Sequence, residues 1–281
     1  MGSDLTIVNN ARVSFAKKSE LVNGKLKTED EKLIGYLARG VSSKEWEALL
    51  NTMVNLESEE EARDIAERLT TMATHWAPFA GTSIQLEMKA PVPIRTQCFK
   101  HKVGFVESEE SRRYIKSTPE LYIPDTFSSI PDNVKQGAGD VHPKSDILRT
   151  LYISQCNDAI NTYEYFISMG VAPEEARFIL PQGVYVNWIW TGSLASYARY
   201  YNQRSDAHAQ SASRDLAQEV GDIIYELFPV SWLALCPGYV PKINLATPVT
   251  PVQDYSGVAF DRGVQVRLPE SNKHFMDLKN R

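Results

Sequence analysis

The stretch Ser83-Ile84-Gln85-Leu86-Glu87-Met88-Lys89-Ala90-Pro91 decides the fold class. Ile84, Leu86, Met88 and Ala90 alternate with Ser83, Gln85, Glu87 and Lys89, the two-residue repeat of a strand with one face buried. The sequence before it reads as helical. Thr28-x-x-Glu31, Ser42-x-x-Glu45 and Ser58-x-x-Glu61 each have the form of a capping box, in which a hydroxyl and a carboxylate satisfy backbone donors at a helix start. The helices they predict carry apolar faces at Leu33, Ile34 and Leu37, at Trp46, Leu49, Leu50 and Met53, and at Ala62, Ile65, Leu69 and Met72.

Beyond the strand, Pro91 and Pro93 end the ladder and suit the first turn of a helix, so 91–102 reads as a helix entered from the strand. Residues 117–144, with Pro119, Pro124, Pro131, Gly137, Gly139 and Pro143, read as a long surface loop. A long helix over 145–169 closes at Gly170, another starts at Pro173, and a mostly helical run covers about 193–227 and ends at Pro229. The remainder, with Pro237, Pro241, Pro248 and Pro251, has little periodicity. Together these elements predict an α+β fold in one domain, helices packed around a modest antiparallel sheet.

With 281 residues, 43% apolar and 23% charged, the chain has the composition of a globular protein with a real core. Its net charge of −5 argues against a general nucleic-acid binder, whose footprint is a basic excess. Cys98, Cys156 and Cys236 stand far apart with no C-x-x-C, which predicts neither a disulfide framework nor a zinc ribbon and fits a reducing cytoplasm. The N-terminus lacks the pattern of a signal peptide, and no stretch approaches the ~20 apolar residues of a membrane span. The expectation is a cytoplasmic protein with no membrane or nucleic-acid partner. Dinucleotide, P-loop, hydrolase-elbow and zincin motifs are absent from the sequence, and its five histidines do not cluster at metal spacings, so no metal is implied.

Chemistry concentrates between Arg95 and Lys116, which holds six Lys or Arg and one His against three Glu in an acidic chain. On a helix, Gln97 would share a face with Lys100 and His101, and Ser111, Arg112 and Arg113 offer a hydroxyl and two guanidiniums. Forked guanidinium bonds, a lysine point charge and backbone donors of the glycine-containing turn suit a phosphate, while the same composition suits a solvated charged face. In Arg204-Ser205-Asp206-Ala207-His208-Ala209-Gln210, Arg204 and His208 are four apart and face one ligand if the segment is helical; the other reading is an N-cap at Asp206 with His208 in a first turn.

Together these segments resemble the flavin-dependent thymidylate synthases. Lys100-His101-Lys102 leading to Ser111-Arg112-Arg113-Tyr114 is similar to that family's Arg-His-Arg and Ser-x-Arg-Tyr signature, with lysines for both arginines and a gap one residue longer. Ala11-Arg12-Val13-Ser14-Phe15, His75-Trp76-Ala77-Pro78-Phe79, Lys89-Ala90-Pro91 leading to Gln97, Arg177-Phe178-Ile179-Leu180-Pro181 and the box from Arg204 to Gln210 match its other landmarks in order. Ala77 and Ala80 stand where the family usually has hydrogen-bonding residues.

The resemblance implies that Gln97, Ser111, Arg113, Arg177 and Arg204 hold a pyrimidine nucleotide, with Arg204 at the base, and that Arg204 and Ser111 are the catalytic residues. His75, Lys100, His101, Lys102 and His208 would contact FAD, and Arg199 falls at a position that meets the flavin ring. Glu109 would belong to the site on both the nucleotide and flavin sides. The implied reaction converts dUMP to dTMP with methylenetetrahydrofolate as carbon donor and NADPH-reduced FAD as hydride source, in a homotetramer whose subunits share active sites. No attacking thiol is then needed, and Cys98 and Cys236 read as buried apolar filler. UMP or dCMP as substrate, a hydroxymethyl product, or a non-catalytic flavin- or nucleotide-binding homologue remain alternatives. Against the family pattern, 1–236 reads as the enzyme domain with a helical insertion at about 41–74, and 237–281 as an irregular extension.

Overall fold

A computed structural model describes residues 2–40, 75–131 and 138–241, with Lys44 and Ala48 besides. The helices expected after Ser42 and Ser58, which form the insertion at 41–74, therefore lie outside the described residues, as does most of the extension after 237. Along the chain run α1 (Asp4–Arg12), a 3₁₀ turn (Val13–Phe15), α2 (Thr28–Arg39), α3 (Ala77–Ala80), β1 (Ile84–Pro91), α4 (Val92–Cys98) and β2 (Phe105–Glu109). There follow α5 (Ser145–Ser168), α6 (Pro173–Ala176), a 3₁₀ turn (Arg177–Ile179), β3 (Tyr185–Gly192), α7 (Leu194–Arg204), α8 (Ser211–Leu227) and α9 (Pro229–Leu235). The fold is α+β, as expected. Its described residues form two compact units, one from residues up to 84, 192–202 and 218–241, the other from 85–191 and 203–217.

In the first unit, the amphipathic face expected on α2 is the face that packs: Ile34 and Leu37 are buried, and α9 and α1 lie against this helix. The capping box at Thr28 is not formed. Lys27 is the N-cap, because the Asp30 and Glu31 N–H groups donate to its carbonyl, and Thr28 is already helical. Asp30, fully buried, instead accepts from Arg12 Nε at 3.1 Å and Nη2 at 2.6 Å and from the Ser19 hydroxyl. Arg12, in the opening segment singled out above, thus ties α1 to α2.

Pro229 ends α8 and also starts α9, since the first turn of a helix needs no N–H from its leading residue. The expected stop is therefore a junction. Asp4 of α1 supplies the missing cap, accepting from Val230 N and Ser231 N, both at 2.9 Å, and from the Ser231 hydroxyl. Burial raises the Asp4 pKa, opposed by the hydrogen bonds from Ser231 and Val230. Tyr201, Trp232 and Tyr239 pack edge to face, with Tyr201–Trp232 and Tyr201–Tyr239 centroids 5.4 and 5.6 Å apart, so the chain just beyond Pro237 still contributes to the core. Cys236 is fully buried, and desolvation pushes its thiol pKa up, as suits apolar filler rather than a nucleophile.

The second unit is built on a three-stranded antiparallel sheet of order β1-β3-β2 among the described residues. In β1, Ile84, Leu86, Met88 and Ala90 are all buried, as their alternation requires. The central strand is β3, a segment in which the sequence analysis placed no element. Val186, Trp188 and Trp190 are buried on one face, and Tyr185, Asn187, Ile189 and Thr191 alternate with them. Phe105 of β2 stacks on Trp190 at 4.1 Å. Between β2 and α5 the described residues form no helix or named strand, in keeping with the expected loop, and α5 ends at Met169 with Gly170 in the left-handed region, φ 84°.

Candidate active site

The site is built where β1 turns into α4 and returns as β2. Pro91 stands at the N-cap of α4 with φ −65° and ψ 152°, and Val92 N donates to Val184 O at 3.2 Å, fixing the helix start against the chain entering β3. The helix stops at Cys98 rather than running to Lys102. Lys100 N and His101 N close the last turn on Gln97 O and Cys98 O, and Gly104, at φ 76°, reverses the chain into β2. Pairing β2 with β3 favours this early end, because a helix running to Lys102 would leave only Val103 and Gly104 to reverse the chain.

This reversal brings Arg95 of α4 to Glu109 at the end of β2, with Nε 3.2 Å from Oε2. Both line an open cavity of about 460 Å³, together with Glu110, Ser111, Arg112, Arg113 and Arg177, and with an apolar wall that includes Val92, Leu180 and Val186. Ser111 Oγ accepts from Arg113 N at 3.4 Å and Arg113 Nε at 3.3 Å, and Arg177 Nε donates to Glu174 O at 3.1 Å. Arg112 donates to Ser117 O at 2.8 Å. Desolvation raises the Glu109 pKa, Arg95 opposes the rise and Glu110 adds to it. Guanidinium forks beside an apolar wall suit a planar ligand carrying a phosphate.

A second cluster gathers on Arg204, the last residue of α7. Its Nε donates to His101 Nε2 at 2.9 Å, Nη1 to Gln97 Oε1 at 3.3 Å and Nη2 to the Gln97 carbonyl at 3.1 Å. Because a guanidinium only donates, this bond uses the lone pair of His101 Nε2. Gln97 Nε2 donates to Gln210 Oε1 at 2.7 Å, which fixes the amide so that its oxygen faces Arg204. Three of the five guanidinium hydrogens are thereby held by protein, and one on each terminal nitrogen remains for a ligand.

Arg204 and His208 do not share a helix face. The helix ends at Arg204, and Asp206 Oδ1 accepts from both His208 N and His208 Nδ1 at 2.8 Å, closing a turn ahead of α8. Asp206 therefore caps this turn and not a helix, and these bonds lower its pKa, the His208 backbone bond foremost. His208 is exposed, with Nε2 left for a ligand. Lys100 is also exposed, so of the face expected for Gln97, Lys100 and His101 only Gln97 and His101 meet, at Arg204. Lys102 pairs with Glu107. In the first unit, His75 is exposed, stacks on Tyr36 at 5.5 Å between centroids and donates its N–H to Leu37 O at 2.8 Å, while Arg199 is exposed on α7.

A family model described as thymidylate synthase complementing protein matches residues 1–230. The chain belongs to this family. Among its relatives, the flavin-dependent thymidylate synthase of Wolbachia pipientis wMel is 29% identical over 83% of this chain and 70% of that protein. The one from Thermosipho africanus is 31% identical over 55% of this chain and 68% of that protein. Among solved structures, the UMP/dUMP methylase PolB from Streptomyces cacaoi, bound with 5-Br dUMP, superimposes with a TM-score of 0.62 at 21% identity, covering 85% of this chain and 92% of that one. The motif resemblance to flavin-dependent thymidylate synthases is thereby borne out, and the solved structure shares the fold.

Two residues of this family member's candidate site escaped the motif reading. Arg95 lines the cavity and pairs with Glu109, and Gln210 orients Gln97. Gln210 was legible as the last residue of the quoted box, and Arg95 as the one arginine of α4.

Proposed function

We propose that the chain is a flavin-dependent thymidylate synthase that methylates C5 of dUMP, with methylenetetrahydrofolate as carbon donor and NADPH as the source of reducing equivalents. The observation that carries this is the Arg204 guanidinium, held by His101 and Gln97 with two hydrogens left over, in a chain of this family. Arg204 stabilises negative charge developing on the uracil ring and so lowers the barrier to forming a carbon nucleophile at C5. No protein nucleophile is needed. Ser111 orients the Arg113 fork, and Arg113 and Arg177 bind the phosphate and fix the ring beside Arg204. Glu109 lies at the edge of the same site.

The donor set also fits FAD: the ammonium groups of Lys100 and Lys102 and the exposed imidazole of His208 suit an anionic pyrophosphate, and His75, His101, Glu109 and Arg199 complete the group assigned to it. FAD supplies hydride chemistry when bound, and the protein supplies its orientation. We place the assembly as a homotetramer in the cytoplasm, acting on small molecules; no helix among the described residues is long and apolar enough to cross a membrane. We also propose that the enzyme domain covers 1–236, with a helical insertion at about 41–74 and an irregular extension over 237–281.

The test is tritium release from C5-labelled dUMP, with labelled UMP and dCMP in parallel and the products separated. The UMP arm follows the name of the PolB structure. Folate-dependent release from dUMP with thymidylate formed is the expected result. Release from UMP or dCMP alone moves the activity to another pyrimidine nucleotide, and silence from all three overturns the reading.

A further inference from the structure

Four guanidiniums line the cavity, and the family resemblance assigns only Arg113 and Arg177. We propose that Arg95 is a further phosphate-binding residue, held by Glu109 until a phosphate monoester enters and takes its place; this rests on reading the cavity as the nucleotide site.

Three observations carry it. First, Arg113 Nε and Arg177 Nε donate to Ser111 Oγ and the Glu174 carbonyl, which leaves their terminal nitrogens as the edge that binds a phosphate in two parallel bonds, whereas Arg95 Nε only faces Glu109 and donates to nothing, so its Nε edge opens to a phosphate once the carboxylate leaves. Second, the Arg95–Glu109 pair is a poor fit. Arg95 Nε is buried and 3.2 Å from Glu109 Oε2 without hydrogen-bond alignment, so a doubly charged acceptor that meets the fork squarely displaces the carboxylate. The Arg95 guanidinium carbon also lies 5.1 Å from the Phe99 ring centroid, and this face holds the fork in place when the carboxylate leaves. Third, four guanidiniums against Glu109 and Glu110 give the lining an excess of two positive charges, the complement of a phosphate monoester dianion. A purely structural ion pair would make no distinction between a nucleotide and its nucleoside.

The experiment measures dUMP and deoxyuridine binding to the full-length, FAD-loaded protein by calorimetry, for wild type, Arg95→Gln, Arg95→Lys, Glu109→Gln and Arg113→Ala. Arg95→Gln is expected to weaken dUMP at least tenfold, about 1.4 kcal/mol, and to leave deoxyuridine within about twofold. Arg95→Lys, which keeps the charge and loses the fork, falls between the two. Glu109→Gln removes the competing carboxylate and tightens dUMP binding severalfold. An Arg95→Gln variant that binds dUMP as wild type does, or loses both ligands equally, overturns the proposal. So does unchanged or weaker dUMP binding in Glu109→Gln. If Arg113→Ala weakens dUMP and Arg95→Gln does not, only the role of Arg95 falls; if wild type fails to bind dUMP, the nucleotide reading of the cavity falls, and this proposal with it.

Discussion

Replacing Arg204 with lysine keeps a positive charge at the end of α7 and tests whether the guanidinium geometry matters. The three protein acceptors, His101 Nε2, Gln97 Oε1 and the Gln97 carbonyl, are met by three different nitrogens at 2.9, 3.3 and 3.1 Å. A single ammonium cannot stand at three such positions, and whichever acceptors it keeps consume its hydrogens. The planar pair of ligand-facing hydrogens, one on each terminal nitrogen, is then lost, because no hydrogen left on the ammonium reproduces that fork. Removing one preorganised donor of this kind typically costs about 2.7–4 kcal/mol in the transition state, roughly 100- to 1,000-fold in kcat. Arg204→Lys is therefore expected to lose at least about 100-fold in kcat, by tritium release from C5-labelled dUMP. Flavin absorbance per protomer after gel filtration should stay near wild type. A variant within about threefold of wild type, roughly 0.65 kcal/mol, would show that charge alone suffices. Parallel loss of flavin and turnover would sink the assignment of Arg204 to the nucleotide rather than the cofactor.

Three further outcomes are expected. Asp30→Ala leaves Arg12 and the Ser19 hydroxyl without their acceptor and should lower stability by about 3 kcal/mol, the low end for a broken buried pair because Arg12 is partly exposed; an unchanged urea midpoint would contradict it. In Gly183→Ala, a Cβ built at Gly183 would stand 1.9 Å from the Tyr152 hydroxyl, which is pinned by its bond to Tyr122 O at 2.8 Å. Thermal unfolding should show a loss of about 1–3 kcal/mol, and the double variant with Tyr152→Phe should recover part of it. Because the folded pKa of Glu109 is raised above 4.5, the native state binds more protons than the unfolded chain just above that pH, so this group's contribution to stability falls as pH rises through the window. Urea midpoints from about pH 4 to 7 should therefore fall less steeply in Glu109→Gln than in wild type; parallel profiles would refute the shift.

Much of the local structure was legible because burial leaves a period in the sequence. The alternation from Ile84 to Ala90 named β1 and its buried face, Ile34 and Leu37 named the packed face of α2, and Gly170 named the end of α5. Strand β3 carries the same alternation in Val186, Trp188 and Trp190, but Tyr185 and Ile189 on its other face are also apolar and blur the period. The capping box at Thr28 failed for a different reason: Asp30 is buried against Arg12 of α1 and Ser19 of the following loop, a partnership that overrides the local motif. Locally Pro229 marks only a stop, because its use as a start depends on Asp4, far away in the chain.

By itself, the sequence determined the α+β class, the positions of the principal helices and of β1, and the family, because periodicity, caps and ordered motifs are properties of neighbouring residues. Only the tertiary structure decided which of the motif residues meet. Gln97 and Arg204 are 107 positions apart, and their contact depends on where α4 stops, on the Gly104 reversal and on where α7 ends. The same reversal sets Arg95 against Glu109, and the break after Arg204 separates His208 from the helix that carries Arg204. Local patterns encode which side chains are buried; partners are chosen by strand order and chain reversal, which satisfy hydrogen bonds and packing over the whole unit at once.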